Sequence, residues 1–182
     1  MKREKQLAFQ LLEGKNAKYF GGAYLKNSNP KEKRPISTKR SMHLVMRSSK
    51  ARANLSFLKH NRRVHSIVAT QAKAFGVKVY RFANASNHLH MIVLPISRKA
   101  FQGFVRAISG LIARVILGAE RGSPKLEAGE GRSWSFWDKR PFTRVVEWGR
   151  DFRTTTSYLL QNSLEALGFI PYQPREIRFV GI

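Results

Sequence analysis

Short apolar stretches that alternate with polar residues predict four strands, over residues 43–47, 77–82, 87–95 and 142–146. A period of two with β-branched and aromatic residues is typical of strands buried on at least one face. The turn Asn84-Ala85-Ser86-Asn87 joins the second and third strands. We therefore expect an antiparallel hairpin there, because so short a connection cannot join parallel strands.

Apolar residues at helical spacing predict three helices between and after these strands. The first runs from Asn54 to about Phe75, the second from Ser97 to about Leu117, and the third from residues 151–155 to just before Gly168. Each begins near a capping residue or is followed by a glycine, as helices often are. Strands and helices together predict an α+β fold, an antiparallel sheet with helices packed on one side.

Composition divides the chain into a basic N-terminal extension (residues 1–40), one domain (41–170) and a short C-terminal tail (171–182). In the extension, an apolar patch from Leu7 to Leu12 predicts a short helix or strand, and residues 26–35 form a turn-rich basic linker. The linker is either an arm that follows phosphates or a solvated connection. The apolar residues Ile177, Phe179 and Val180 predict a strand in the tail.

The charge balance indicates a polyanionic partner. The 182 residues include 34 Lys and Arg against 11 Asp and Glu, a formal net charge of +23. Nucleic acid is the first candidate and an anionic membrane surface the second. The sequence has no run of about 18 apolar residues, the length needed to span a bilayer. The first residues also lack the pattern of a signal peptide, so we expect a cytoplasmic protein.

Two absences restrict the chemistry. The chain has no cysteine, which excludes disulfides and thiolate metal sites, zinc fingers among them. Residues 33–119 contain no Asp or Glu. A metal ion bound by the central part of the chain would therefore need His, Asn or Gln ligands.

The stretch Asn87-His88-Leu89-His90 is the first candidate for such a site. Side chains alternate along a strand, so His88 and His90 share one face while Leu89 lies on the other. Two imidazoles side by side can hold a divalent metal. On this pattern alone, both could instead be ordinary strand histidines.

The third predicted helix carries a second group of polar side chains. Tyr158 and Asn162 are four residues apart and share a face, with Gln161 beside them, while Leu160, Leu164 and Leu167 form an apolar stripe. A tyrosine on a helix is often only a packing residue. Between residues 133 and 142 aromatic and basic residues interleave, which predicts either stacking on unpaired bases or packing of Trp134 and Trp137 in the core.

In combination, these motifs resemble the single-tyrosine HUH transposases, particularly the insertion-sequence-like and REP-associated tyrosine transposases. HUH denotes two histidines around one hydrophobic residue, here His88-Leu89-His90. The resemblance spans about residues 35–169, in family order: the basic residues 34–40, the strand after His43, residues 87–90, 137–146 and 158–162. Ala85-Ser86 stands where the family often has Met-Pro, and Asn162-Ser163 where it often has Asn-Pro. These departures concern loop geometry more than chemistry.

The resemblance implies a ferredoxin-like HUH nuclease core and a metal-dependent endonuclease and strand transferase acting on single-stranded DNA, at hairpins or repeats. Tyr158 is then the nucleophile that forms a 5′-phosphotyrosine intermediate. His88, His90 and Asn162, with Gln161 as the alternative third ligand, would hold Mg²⁺ or Mn²⁺. Monomers and homodimers both fit the family.

Basic and aromatic residues supply the candidate DNA contacts. These are Arg34, Lys39, Arg40, Arg47, Lys59, Arg62, Arg63, Trp137, Lys139 and Arg140. A domesticated DNA- or RNA-binding protein that keeps this fold without the chemistry is the alternative. A basic ribosome-associated protein would explain the charge but not the order of the motifs.

Overall fold

The computed structural model describes residues 19–22, 33–119 and 135–173. Within these ranges the strands are β1 (Tyr19–Phe20), β2 (Ser41–Arg47), β3 (Val77–Asn84), β4 (His88–Pro95) and β5 (Phe142–Val146). The helices are α1 (Asn61–Ala74), α2 (Arg98–Ile116) and α3 (Arg150–Ala166). The predictions for the patch at 7–12, linker residues 26–32, Trp134 and the tail strand lie outside the described residues.

The described strands form one sheet in the order β1-β5-β2-β4-β3, and every neighbouring pair is antiparallel. The predicted antiparallel α+β fold and the β3–β4 hairpin are therefore confirmed. In the centre of the sheet, β2 lies between β4 and β5. Val45 is opposite His90 on one side and opposite Phe142 on the other.

One face of the sheet forms the main core. Met42, Leu44 and Met46 of β2 and Leu89, Met91 and Val93 of β4 are buried there, in one cluster with apolar residues of α1 and α2. Fully burying a side chain of this size contributes about 1.5–3 kcal/mol, so this face holds the sheet to its two helices. Because side chains alternate, the residues between them face the other side of the sheet.

Helix α3 packs on that other face, so the prediction that all helices lie on one side is wrong. Leu159 is buried against Ala83 of β3 and Ile92 of β4. The buried residues of α3 are Thr155, Leu159 and Asn162, spaced as one helical face. The apolar stripe lies elsewhere, because Leu160 and Leu167 are 59% and 57% exposed.

The helix bounds agree with prediction except at the start of α1. Ser97 caps α2 as predicted, with its hydroxyl accepting from the amide of Ala100 at 3.0 Å. Helix α1 begins at Asn61 rather than at Asn54, because the amide of Phe57 donates to the Ser86 carbonyl and its carbonyl accepts from the Asn84 side chain. These tertiary hydrogen bonds replace helical ones. No helix in the described ranges is long and apolar enough to cross a bilayer.

Candidate active site

Three histidines meet on the sheet face covered by α3. His88 and His90 lie side by side on β4, with ring centres 4.8 Å apart. His43 of β2 stacks beside His90, with ring centres 5.4 Å apart and planes 19° from parallel. Nε2 of His43 is 3.2 Å from Nδ1 of His90. The sequence predicts a strand at His43 but no role for it, although its parity in β2 is the signal that it shares this face.

The surroundings of His88 define its tautomer. Its Nδ1 lies 2.5 Å from the side-chain oxygen of Asn87. A carboxamide oxygen can only accept a hydrogen bond, so Nδ1 is the donor, and in the neutral ring the lone pair is on Nε2. Metal-binding histidines are commonly oriented in this way, through an N–H donated to an oxygen.

His43 is neutral at ordinary pH. The pKa of its imidazole is lowered from 6.5 to about 3, first by burial and then by the positive charge of Arg144, while Asp151 acts in the opposite direction. Burial acts in this way because a charged imidazole loses its hydration in the interior. The hydrogen bond between His43 and His90 is therefore one between two ring nitrogens that share a single proton.

Helix α3 brings Tyr158 to these histidines. Its ring centre lies 5.7 Å from that of His90 and 6.1 Å from that of His43, both in edge-on contact. The residue is 36% exposed, so its side chain is accessible from solvent while its neighbour Leu159 anchors the helix. The tyrosine and the His-x-His pair predicted from sequence therefore lie together in one chain.

The two candidate third ligands differ in their surroundings. Asn162 is 5% exposed on the buried face of α3, and its NH₂ donates to the Tyr158 carbonyl at 2.8 Å. The carboxamide oxygen is then on the other branch of the side chain, and oxygen is the atom that binds Mg²⁺ or Mn²⁺. Gln161 instead donates along the helix to Glu165 at 2.9 Å. This geometry favours Asn162.

An ion pair fixes the start of α3. Arg144 of β5 donates to both carboxylate oxygens of Asp151, at 3.0 and 2.9 Å, and to the Thr155 hydroxyl at 2.8 Å. Asp151 also accepts from the amide of Glu147 at 3.0 Å. Gly149, the residue before the helix, has φ +90°, a conformation that favours glycine. This clamp is not among the features predicted from the sequence, although an acid in the first turn is a common helix-start signal.

Two groups of cations flank the His88 end of the sheet. Arg47, Lys139 and Arg140 line a pocket together with Val45, Phe142 and Asp138, whose carboxylate lies 3.5 Å from Nε of Arg47. That pocket adjoins the site, because Val45 is opposite His90 and Arg47 opposite His88.

The second group lies at the start of α1. It consists of Lys59, Arg62 and Arg63, which line a common hollow with Asn61. Asn61 accepts from Asn84, at the end of β3, at 2.9 Å, which places this group beside the turn that leads into His88. Lys39 and Arg40 lie at the other end of the sheet, just before β2 begins, and Arg40 forms an exposed ion pair with Glu147.

Two of the predicted DNA contacts, Arg34 and Trp137, also make contacts within the protein. Arg34 donates to the Pro141 carbonyl and to the Thr143 hydroxyl, with its guanidinium 4.4 Å from the centre of the Phe20 ring. Burial, and then the charge of Arg140, lower its pKa to about 10. Trp137 stacks on Phe57 and donates to the Ser109 carbonyl, which is the core-packing alternative.

No group of three or more His, Cys, Asp or Glu side chains in residues 19–22, 33–119 and 135–173 is arranged to hold a metal ion. Amide oxygens are a further class of metal ligand. The set of His88, His90 and Asn162 therefore has to be judged on its own donor atoms, two imidazole nitrogens and one amide oxygen.

The chain belongs to the family of IS200-like transposases. The family model, described as "Transposase IS200 like", matches residues 37–161, more than half of the chain. The match runs from just before β2 through Tyr158 and ends at Gln161. It includes His43, His88 and His90, and stops one residue before Asn162.

The fold is similar to that of a REP-associated tyrosine transposase bound to a REP hairpin, with a TM-score of 0.58 and 13% sequence identity. The alignment covers 78% of this chain and 76% of that one. A putative transposase from Deinococcus radiodurans R1 aligns with a TM-score of 0.43 and 16% identity, over 74% of this chain and 98% of that one. No curated protein matches the chain.

Proposed function

We propose that this transposase cleaves and rejoins single-stranded DNA, with Tyr158 as the nucleophile. The observation that carries the proposal is the position of the Tyr158 ring, 5.7 Å from that of His90 on the face that also presents His88. A protein that only binds DNA has no need for a tyrosine over paired histidines. Both halves of the site come from the same chain, so a monomer can be complete.

The cofactor in this proposal is Mg²⁺ or Mn²⁺, held by His88, His90 and Asn162. The donor set fits, because the Asn87 contact puts the lone pair of His88 on Nε2, and the amide of Asn162 is turned so that its NH₂ bonds the helix. When bound, the ion polarises the phosphoryl oxygens of the scissile phosphate. Neutral ligands favour an ion that also takes oxygen from the substrate over tightly held Zn²⁺.

The chain's own residues perform the transfer. The Tyr158 hydroxyl loses its proton as its oxygen attacks phosphorus, and the bond from phosphorus to the 3′ oxygen breaks. The 3′ oxygen takes up a proton, so the products are a free 3′-hydroxyl and a 5′-phosphotyrosine. A second 3′-hydroxyl can reverse the step and join a new end without ATP, because the phosphotyrosine keeps the energy of the phosphodiester.

The cations beside His88 hold the strand. Arg47 and Lys139 on one side, and Arg62 and Arg63 on the other, lie where phosphates that flank the scissile one would pass. Contacts to phosphates fix register and orientation without reading sequence. Because the fold neighbour is bound to a REP hairpin, we extend the proposal to hairpin or repeat DNA as the substrate of this chain.

The test is a covalent adduct. Labelled single-stranded hairpins cloned from beside the gene are incubated with the protein in Mn²⁺ or in EDTA, and protein–DNA bands that survive denaturation are counted. We expect adducts with Mn²⁺ only, their loss in Tyr158→Phe, and no loss in Tyr80→Phe, which removes a hydroxyl from β3. Adducts from Tyr158→Phe at the wild-type level would overturn the assignment.

The same assay addresses the alternative of a domesticated binding protein. A double variant, His88→Ala with His90→Ala, should bind hairpins as the wild type does but form no adduct. If the wild-type protein binds hairpins tightly and forms no adduct with either metal, the binding role replaces the catalytic one.

A further inference from the structure

We propose that His43 is a positioning residue that accepts a hydrogen bond from His90 and so keeps the His90 lone pair on Nε2, facing the site. The inference rests on the proposed function, because it concerns a ligand of the proposed metal site. It assigns a role to a residue of β2 that is not among the proposed metal ligands.

The geometry allows two arrangements of the shared proton. If Nε2 of His43 donates to Nδ1 of His90, the second proton position of His90 is Nε2, and that nitrogen cannot bind a metal. If Nδ1 of His90 donates to Nε2 of His43, the lone pair of His90 is on Nε2. Only the second arrangement gives a metal ligand, and it requires His43 to be the acceptor.

The two histidines of β4 are then oriented in the same way by different partners. His88 donates from Nδ1 to the Asn87 side-chain oxygen, at 2.5 Å. His90 donates from Nδ1 to His43, at 3.2 Å. A hydrogen bond to the outer nitrogen fixes the ring orientation of a metal ligand and raises its basicity. His43 does for His90 what Asn87 does for His88.

The surroundings of His43 hold it in place for this role. It is 7% exposed, lies opposite Arg144 in the sheet and is in edge-on contact with the rings of Tyr158 and Phe142. These contacts fix the plane of the imidazole beside His90. If His43 only filled space, an apolar side chain of similar size could replace it without loss of metal binding. Such a substitution therefore distinguishes a packing role from a hydrogen-bonding role.

The direct test is the tautomer of His90. In ¹⁵N-labelled, metal-free protein at neutral pH, long-range ¹H–¹⁵N spectra distinguish protonated from unprotonated ring nitrogens. We expect Nδ1 of His90 to be protonated and Nε2 not, as for His88. A proton on Nε2 of His90 overturns the proposal, whatever the protein does with DNA.

The second test uses a matched pair of variants. His43→Gln keeps a hydrogen-bond acceptor close to the position of Nε2, whereas His43→Leu removes it and retains bulk. With Mn²⁺ binding followed by electron paramagnetic resonance, we expect about a tenfold or greater loss of affinity in His43→Leu, the range for outer-shell partners of metal ligands. The Mn²⁺ affinity of His43→Gln should stay within a few-fold of the wild-type value. The control variant His65→Leu, on α1, should have the wild-type affinity.

The outcomes separate this proposal from the one it rests on. If His43→Leu folds, by its melting temperature, and binds Mn²⁺ as the wild type does, His43 is only a packing residue. Tyr158-dependent adducts in that case still support the proposed function. If the wild type forms no adduct, the proposed function fails. The tautomer of His90 then decides by itself whether His43 accepts a hydrogen bond from His90.

Discussion

Arg144 and Asp151 join the central part of the sheet to the helix that carries the tyrosine. Nη1 of Arg144 donates to both carboxylate oxygens of Asp151, at 3.0 and 2.9 Å, and the side chains are 21% and 33% exposed. Arg144 is also opposite His43 in the sheet. The start of α3, two turns before Tyr158, is therefore tied to the strand beside the histidines.

We expect Arg144→Met to reduce adduct formation more than its effect on stability explains. It leaves Asp151 without its cation, which should cost about 1–3 kcal/mol in urea unfolding. Loss of the clamp also lets Tyr158 shift, and a displacement of about 1 Å can slow a positioned reaction about a hundredfold. Single-turnover adduct formation in conditions where the variant is folded measures the second effect.

The matched control for that variant is Glu147→Gln, which leaves the candidate DNA contact Arg40 in place. It removes the ion pair between Arg40 and Glu147, whose side chains are 49% and 39% exposed. Exposed pairs contribute about 0–1 kcal/mol. If the two variants behave alike in both assays, the clamp does not position α3.

The choice of third ligand can be tested with two adjacent carboxamides on α3. Asn162→Ala should weaken Mn²⁺ binding by at least the roughly 10–100-fold that loss of an outer-shell partner causes, because it removes a ligand itself. Gln161→Ala should leave binding near the wild-type level, since Gln161 bonds Glu165. Calorimetric titration with Mn²⁺, before and after EDTA treatment, makes the comparison. The reverse order of effects would assign the ligand to Gln161.

The stability of the metal-free protein should fall below pH 6.5 through His43. Its pKa is lowered to about 3 in the folded chain, so as pH falls the unfolded chain takes up a proton that the folded chain does not. The unfolded state is then favoured, by about 2 kcal/mol between pH 7 and pH 5. The titratable groups that face His43 are Arg144, Asp151, His90 and Tyr158. All four remain in the His43→Gln variant.

Comparison of the wild type with His43→Gln isolates the contribution of His43 to this pH dependence. Urea unfolding of the wild type and of His43→Gln at pH 7 and pH 5, both in EDTA, should show a pH dependence about 2 kcal/mol smaller in the variant. Equal pH dependence in the two proteins would mean that His43 is protonated in the folded chain as readily as in the unfolded one.

The cations beside His88 should set the salt dependence of DNA binding. For single strands, each phosphate contact contributes about 0.7 to the slope of log affinity against log salt concentration. Lys139→Ala and Arg62→Ala should each lower the slope by about that amount, with little effect of sequence. Lys73→Ala, in the last turn of α1, is the control. Unchanged slopes in the first two variants would place the DNA elsewhere on the surface.

Local pattern was enough to predict most of the fold. The alternation in β4 and the spacing in α2 are properties of neighbouring residues, and both elements have the predicted type with bounds within a residue or two. Helix α1 starts seven residues later than predicted because Phe57 bonds Ser86, a contact between distant parts of the chain. Helix α3 was assigned to the wrong face for a related reason. Its apolar stripe is exposed, and its buried face includes Thr155 and Asn162, whose polarity hid it.

The residues of the candidate site also divide into those that a local pattern predicts and those that depend on tertiary contacts. Tyr158, Asn162 and the His-x-His pair belong to short motifs and could be proposed from sequence. His43 and the pair of Arg144 with Asp151 depend on how β2, β4 and β5 are aligned, which no single stretch specifies. Arg34 and Trp137 are predicted DNA contacts by their residue types, and no local pattern predicts their partners within the protein, Thr143 and Ser109.

The pairing of β2 with β4 also guards the site against misassembly. Met42, Leu44 and Met46 lie opposite Val93, Met91 and Leu89, and the histidines occupy the alternate positions. A slip of one residue would turn His88 and His90 into the apolar core and expose Leu89 and Met91. Such a chain would lose its core and its chemistry together. Quality control that removes unfolded protein would therefore also remove chains with a misaligned sheet.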